Sequence, residues 1–329
     1  LILEKGMLPQ GASTKNAGFA CFGSLSEILE DLNTQTEEDV VNLIKKRMDG
    51  LLLLRQTLSD QAISYQQLGG YELFKNKDTA FFETCLSKRD RINELLKPIF
   101  KAEVFQLKEN VFNFKNMQET YFFNPFEGQI DTGKMMDALL QKVQSQGVKI
   151  LNNILFESYV DQSDVVHVKT NKLEFQSKNL IFSTNGFASQ HLVEAVKPAR
   201  AQVLITKPIK NLHIKGTFHL DQGYYYFRNI DDRILFGGGR NLDFNTEETT
   251  EFGQTEIIQN KLKELLKTVI LPDTHFEIDY SWSGIMGVGA TKNPIVKQLS
   301  NRVYCGVRLG GMGIAIGSLI GREIVDLID

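Results

Sequence analysis

The chain has 329 residues, 42% of them hydrophobic and 23% charged, which is enough for two domains with cores of their own. Its 37 basic and 40 acidic residues leave a formal charge of −3, and the basic ones are scattered, which speaks against nucleic acid as a partner. No uncharged run, the glycine-rich Leu309 to Gly321 included, reaches the roughly 20 residues that cross a bilayer, so no integral membrane segment is expected.

Leu1 to Lys5 reads as the last half of a buried parallel strand closing on a carboxylate, and a loop of small residues, Gly11 to Gly18, follows it. In dinucleotide-binding units the acid that ends the second strand accepts hydrogen bonds from ribose hydroxyls, and Glu4 stands where that acid belongs. The matching G-x-G-x-x-G would lie about 20 residues upstream. The chain has no initiator Met and is expected to open inside an element, with that first strand and phosphate loop ahead of Leu1.

Thr36-Glu-Glu-Asp39 has the form of a capping box and predicts a helix to about Leu58, with Val40, Ile44, Met48, Leu51 and Leu52 apolar; the cluster Leu51 to Leu54 reads as core. Tyr65 to Phe74 alternates like a strand with a glycine bulge. A helix from about Thr79 to Leu96 should stop before Pro98, and another, Thr132 to Gln146, should end at Gly147 ahead of a strand from Val148. Leu155 to Leu173 reads as a hairpin, and Leu180 to Thr184 as a buried strand ending at Asn185-Gly186. After Pro198 the pattern is mostly strand: Ala201 to Thr206, Gly216 to Leu220, Tyr224 to Asn229, Arg233 to Gly238 and His275 to Trp282, with a helix over Thr255 to Val269. The tail, Val303 to Ile328, runs a short apolar strand through Gly310, Gly311 and Gly313 into an amphipathic helix. Glycines there let a backbone approach a flat ligand, and the helix start offers unpaired N–H groups to an anion or an electron-rich ring edge. Gly313, Gly317 and Gly321 leave one helix face bare and able to lie against a sheet.

Cys21, Cys85 and Cys305 are odd in number, far apart and without metal-like spacing, which fits reduced, apolar-packed thiols in a cytoplasmic protein. His167, His191, His213, His219 and His275 lack paired-ligand spacing and read as structural or surface residues, so no metal site is expected.

Five segments in order, the Glu4-Lys5 strand end, the Ala12 to Gly18 loop, the Leu180 to Gly186 strand, the Tyr224 to Arg240 hairpin and the Gly310 to Gly313 tail, resemble the D-amino-acid oxidase, glycine oxidase and sarcosine oxidase superfamily of FAD-dependent oxidoreductases. The resemblance implies an α/β fold: a Rossmann-like FAD-binding domain (1–60, 128–196 and 290–329) interleaved with an α+β substrate domain on a mostly antiparallel sheet (61–127 and 197–289). It implies FAD contacts at Glu4, Lys5, Ser13, Thr14, Asn16, Ala17, Gly18, Thr184, Asn185, Gly186, Gly310, Gly311, Met312 and Gly313. The implied reaction moves a hydride from the carbon of a small amine or amino acid to flavin N5, and O2 or another electron acceptor reoxidises the ring.

Three departures from the family matter. Met286 stands where the amino-acid oxidases resembled here tend to carry a carboxylate-binding arginine; Arg308 and Arg240 are the candidate substitutes, and Tyr226 the tyrosine taken to face the ligand. The cysteine through which sarcosine oxidases attach FAD has no counterpart, so FAD should be non-covalent. Their oxygen-activating lysine falls near Phe236, which leaves a dehydrogenase open. A flavin dehydrogenase acting on a hydroxy acid or polyol phosphate, and a non-catalytic flavin-binding protein, are the alternatives.

Overall fold

In the computed structural model, which describes residues 1–192 and 196–328, the strands after Pro198 join three earlier ones in one eight-stranded sheet. From one edge they are Ile278–Val288, Lys197–Thr206, Arg233–Gly238, Tyr225–Ile230, Thr217–Leu220, Gly70–Leu73, Thr120–Asn124 and Gln106–Glu109. Neighbours are antiparallel except where Thr217–Leu220 meets Gly70–Leu73, the joint between the two stretches of chain.

Side chains alternate between the two faces of a strand, and here the faces differ in kind. Phe218, Phe227 and Phe236 lie opposite one another and pack with Ile258 and Leu262 of helix Glu256–Leu265 in the largest apolar cluster. The Phe218 and Phe227 rings stack at 4.5 Å. On the other face His219 opposes Tyr226, Tyr226 opposes Gly237, and Ala201 opposes Gly284. That second face mixes polar and glycine positions with an apolar cluster of Val203, Leu235, Tyr226 and Trp282, on which Ala17 and Phe19 of the N-terminal segment pack.

Ile2–Leu3 pairs in parallel with Ile150–Leu151, and Leu180–Phe182 in parallel with Val303–Val307, which also carries the antiparallel strand Ile295–Ser300. Helix Glu37–Leu58, capped by Thr36 as its sequence demands, packs on helix Gly313–Asp326 through Leu43, Ile316, Ile320 and Ile324. The helices come close at Gly50, where a Cβ would stand 2.3 Å from the Ala315 carbonyl oxygen. Among the described residues no helix is long and apolar enough to cross a membrane.

The fold is the expected α/β class with a large, mostly antiparallel sheet, but several elements differ in detail. The second long helix passes through Pro98 and runs Thr79–Phe100, closed by Lys101 at φ 56°. Proline costs a hydrogen bond to the preceding turn, yet Ile92 and Leu96 are buried and Ile99 and Phe100 pack on the same cluster, so burial carries the helix past it. The strand around Gly70 is confined to Gly70–Leu73, and the last long strand lies further on than expected, at Ile278–Val288. Phe156–Asp161 and Val166–Thr170 form the expected hairpin and gain a third strand, Glu174–Ser177. Helix Glu256–Leu265 widens into a π turn, Leu266–Ile270, and Ala12–Lys15 coils into one helical turn. Leu51 and Leu54 are core, whereas Leu52 is exposed. The bare helix face of Gly313, Gly317 and Gly321 does not lie on a sheet: Gly321 has nothing within 4 Å of its Cβ position. The buried stripe is the neighbouring one, Ile316, Ile320 and Ile324.

Candidate functional site

Three of the expected segments meet at one place. Asn185, in the left-handed region at φ 47°, accepts the Leu309 N–H on Oδ1 at 3.0 Å, and the Gly310 N–H donates to the Gly287 carbonyl at 3.0 Å. A Cβ on Gly186 would stand 2.5 Å from the Met286 carbonyl oxygen, so only glycine lets these strand ends close. Gly310 and Gly311 have φ of 59° and 79°, and a Cβ on Gly311 would press to 3.2 Å on the Met286 sulfur. Backbone, not side chain, therefore faces outward ahead of helix Gly313–Asp326, whose first N–H groups lack intrahelical partners.

The loop Ala12 to Gly18 is fastened across this place to the second face of the large sheet, where Ala17 packs with Val203 and Leu235. Trp282 donates Nε1–H to the Lys15 carbonyl at 2.9 Å, and Thr132 donates to Asn16 Oδ1 at 2.9 Å. Asn16 Oδ1 also accepts the Gly18 N–H at 2.9 Å. Buried Arg228 donates to the carbonyls of Ala17 and Ile130. Burial pulls its pKa down to about 10, still charged at neutral pH, and Asp131 and Asp231 oppose the fall. Beyond the loop, Phe19 sets its ring edge-on to both His219 and Tyr226 at 5.5 Å, and Cys21 Sγ lies 3.7 Å from Met312 Sδ. One strap, Ala17 to Cys21, thus touches the tail, the loop's anchors and the sheet face.

His219 and Tyr226 sit side by side on that face. Tyr226 lies across Gly237, where a Cβ would meet its ring at 2.7 Å, and burial lifts its phenol to about 12. His219 Nε2 is 2.9 Å from Glu127 Oε2, which also accepts from Thr217 at 3.0 Å, while Asn124 donates to Oε1 at 3.3 Å. Burial alone would strip the imidazole of its proton; the Glu127 carboxylate, with Glu27 and Glu72 behind it, outweighs burial and raises the pKa to about 9. A cavity of about 10 Å³, the size of one water, lies among Ser24, Glu72, Asn124, Glu127 and His219.

The acids behind this pair are themselves organised. Glu72 accepts from Ser24 Oγ at 2.8 Å, the Ser26 N–H at 3.2 Å and the Ser26 hydroxyl, but burial still raises its pKa. Burial opposes the charge of Glu27 as well; Lys292, His219, the Ser24 N–H and Arg47 overcome it and hold this carboxyl below its usual range. Arg47, buried, donates Nη1–H to the Phe22 carbonyl at 2.7 Å and keeps Nε and Nη2 unpartnered among the described residues.

The expected site residues are not all gathered. Ser13, Thr14, Asn16, Ala17 and Gly18 belong to the fastened loop; Asn185, Gly186 and Gly310 to Gly313 belong to the backbone cradle, with Thr184 exposed at its margin. Glu4 accepts the Gly6 N–H at 2.8 Å at the end of the small parallel sheet, and Lys5 is exposed beside it. Arg308, at φ 64°, donates Nε–H to the Asn293 carbonyl at 2.9 Å. Arg240 lies 5.9 Å from the Tyr224 ring and 5.0 Å from the Phe244 ring. Among the described residues the possible metal donors that come together are Cys21, Glu127 and His219, within 4.8 Å of one another. Glu127 and His219 already satisfy each other there, and burial, with the Glu127 and Glu27 charges, keeps the Cys21 thiol protonated well above its ordinary range. Histidine spacing along the chain gives no sign of this group, because Glu127 and His219 meet only through the pairing of Thr217–Leu220 with Gly70–Leu73.

A family model described as FAD dependent oxidoreductase (DAO) matches residues 1–327. The probable oxidoreductase OrdL of Haemophilus influenzae is 20% identical over 360 aligned residues, covering 100% of this chain and 77% of its own length. Among solved structures, iminodiacetate oxidase from Chelativorans sp. BNC1 superposes with a TM-score of 0.77 at 16% identity, over 99% of this chain and 88% of that one. Glycine oxidase from Geobacillus kaustophilus does so with a TM-score of 0.75 at 18% identity, over 99% and 87%. At such identities the structures speak for the fold.

Proposed function

Because the chain belongs to the FAD dependent oxidoreductase (DAO) family, it is an FAD-dependent oxidoreductase, and we propose that it oxidises the C–N bond of a small amine or amino acid. The observation that carries this reading is the glycine-lined cradle of Asn185, Gly186 and Gly310 to Met312 facing the sheet face of Tyr226 and His219 across the strap Ala17 to Cys21. The names of two structural relatives, iminodiacetate oxidase and glycine oxidase, support a substrate of this class.

The residues present fit the cofactor. Left-handed glycines at Gly310 and Gly311 leave room that a Cβ would fill, and the N-terminus of helix Gly313–Asp326 favours negative charge in front of it. Ser13, Thr14, Asn16, Ala17 and Gly18, with Thr184 to Gly186, would hold the cofactor on its other side, and Glu4 and Lys5 its ribose end. FAD, when bound, supplies the hydride-accepting ring. Binding is non-covalent in this reading: protonated Cys21 is a poor nucleophile. In this reading Tyr226, kept a phenol by burial, would offer its hydroxyl to a bound ligand and keep water from the roof above it. Arg228 and Trp282 hold the loop against the sheet, which fixes the distance between roof and cradle. The division into a cofactor domain (1–60, 128–196, 290–329) and a substrate domain (61–127, 197–289) goes with this reading; all eight strands of the large sheet come from the second set.

An anaerobic screen tests the proposal. Flavin absorbance should bleach with a small amine or amino acid and leave ammonia or a smaller amine, and acid should release the intact flavin. Bleaching by a hydroxy acid or polyol phosphate alone would move the reading to a C–O dehydrogenase, and no bleaching by either class would leave a flavin-binding protein without this chemistry.

A further inference from the structure

Arg47 is 3% exposed; its Nη1–H reaches the Phe22 carbonyl at 2.7 Å, while Nε and Nη2 have no hydrogen-bond partner among the described residues. A buried guanidinium short of partners costs stability rather than adding to it, so its place in the fold calls for another reason. That place is behind the cradle. Leu43, Arg47 and Gly50 fall on one face of helix Glu37–Leu58. Leu43 packs on Ile316 and Ile320, and Gly50 lies against Ala315, in the first turn of helix Gly313–Asp326. Phe22, which Arg47 holds, follows Cys21, whose Sγ touches Met312. The Arg47 charge is felt at that thiol, whose pKa it lowers against the larger upward push of burial, Glu127 and Glu27. We propose that Arg47 is the buried charge that tunes the reduction potential of the flavin, favouring the reduced ring from behind the cradle. The inference rests on the reading of Gly310 to Gly313 as the flavin cradle and is independent of the substrate.

A ring that takes up a hydride, two electrons and a proton, gains one negative charge with it. A fixed cation in a water-poor interior favours that charge and needs no reorganisation to do so. The start of helix Gly313–Asp326 contributes a partial positive charge, and Arg47 contributes a whole one. Its surroundings fix the sign of what its removal does. Glu27 and Asp31, from helix Leu25–Asp31 and its end, are the acids acting on Arg47, and they oppose the fall in pKa that burial imposes, so the guanidinium stays charged. Lys292 pairs with the same two acids, at 2.9 Å from Asp31 and 3.9 Å from Glu27. Two cations thus meet two anions, and the group of four is neutral. Without Arg47 a negative charge is left behind the cradle, opposing the one that reduction adds. Without Glu27 the excess is positive and the sign reverses.

The test is the reduction potential of the flavin-loaded protein, read from the flavin spectrum during reduction against a reference dye. Arg47→Met keeps an unbranched apolar stem and removes the charge; the equilibrium constant for reduction should fall at least about tenfold, about 30 mV for a two-electron couple. Arg47→Lys keeps the charge and should stay within about threefold of the wild type. Glu27→Gln should move the constant the other way, upward by about threefold or more. Disturbed packing alone has no reason to give shifts of opposite sign. An unmoved potential in Arg47→Met, or an equal fall in Arg47→Lys, overturns the proposal; should Arg47→Met fail to fold, Glu27→Gln decides, and an unmoved or lowered potential there overturns it. Flavin retention in Gly311→Leu is read separately. Lost flavin in that variant, with a potential indifferent to Arg47, sinks this inference alone. Retained flavin there removes the tail as the cradle, and a potential that still follows Arg47 then sustains its charge as the tuning one.

Discussion

The cradle at Gly310 to Met312 and the corner at His219 both touch the strap Ala17 to Cys21, yet they are made of opposite materials. The cradle is backbone: glycines with positive φ, a strand end on either side, and a methionine sulfur as its nearest side chain. The corner is side chain throughout, with Ser24, Glu72, Glu127, Thr217 and His219 drawn from four separate segments and satisfied by one another. A backbone site tolerates exchange of almost any nearby side chain but not the addition of a Cβ. A side-chain site is the reverse: its partners hold one another, and removing one leaves another buried and unpaired.

Four substitutions can break or sharpen that contrast. The largest effect is expected from Gly311→Leu, which puts a side chain at φ 79° against Met286; flavin retention after gel filtration should fall at least about a hundredfold in affinity while circular dichroism stays native. Normal flavin content in that variant would remove the tail from the site. Next, Arg228→Met strands the carbonyls of Ala17 and Ile130 and should cost about 4 kcal/mol in urea unfolding. A shift below about 1 kcal/mol would show that the loop does not depend on it. The corner is best probed by pH. The folded pKa of His219 lies above the unfolded one, so its contribution is fully present below about pH 6.5 and lost as pH rises through about 9. Wild-type stability should decline across that window by up to about 3 kcal/mol, and His219→Asn should remove that decline. The smallest change belongs to Trp282→Phe, which deletes one hydrogen bond to Lys15 and should lower stability by about 1 kcal/mol, with flavin held more loosely.

The same contrast explains what the sequence discloses. Gly310, Gly311 and Gly313 stand within four residues of one another ahead of an apolar helix, so the cradle is legible locally. Thr36, which caps its helix, and Asn185-Gly186, where the chain turns with Asn185 at positive φ, are equally local signals. Pro98 shows the limit of local reading, since its helix is decided by Ile99 and Phe100 reaching a distant cluster. Glu127 follows Pro125-Phe126 with nothing to mark it; it meets His219 only because Thr217–Leu220 pairs with Gly70–Leu73, a long-range register that no short window contains. Arg228 falls in a motif read for its tyrosines, and its grip on Ala17 appears only when the hairpin and the loop are in place together.

That parallel joint also governs how the molecule emerges from the ribosome. Gly70–Leu73, Thr120–Asn124 and Gln106–Glu109 can pair among themselves early, but the free edge of Gly70–Leu73 waits for Thr217–Leu220, roughly 90 residues after Asn124. At about 5 to 20 residues per second the wait lasts some 5 to 20 seconds, with Tyr71 and Leu73 uncovered on a growing chain. During those seconds the unpaired edge is open to a neighbouring nascent chain. Holding-type chaperones and slow cooling of the expression culture should therefore improve soluble yield more than any substitution in the finished core.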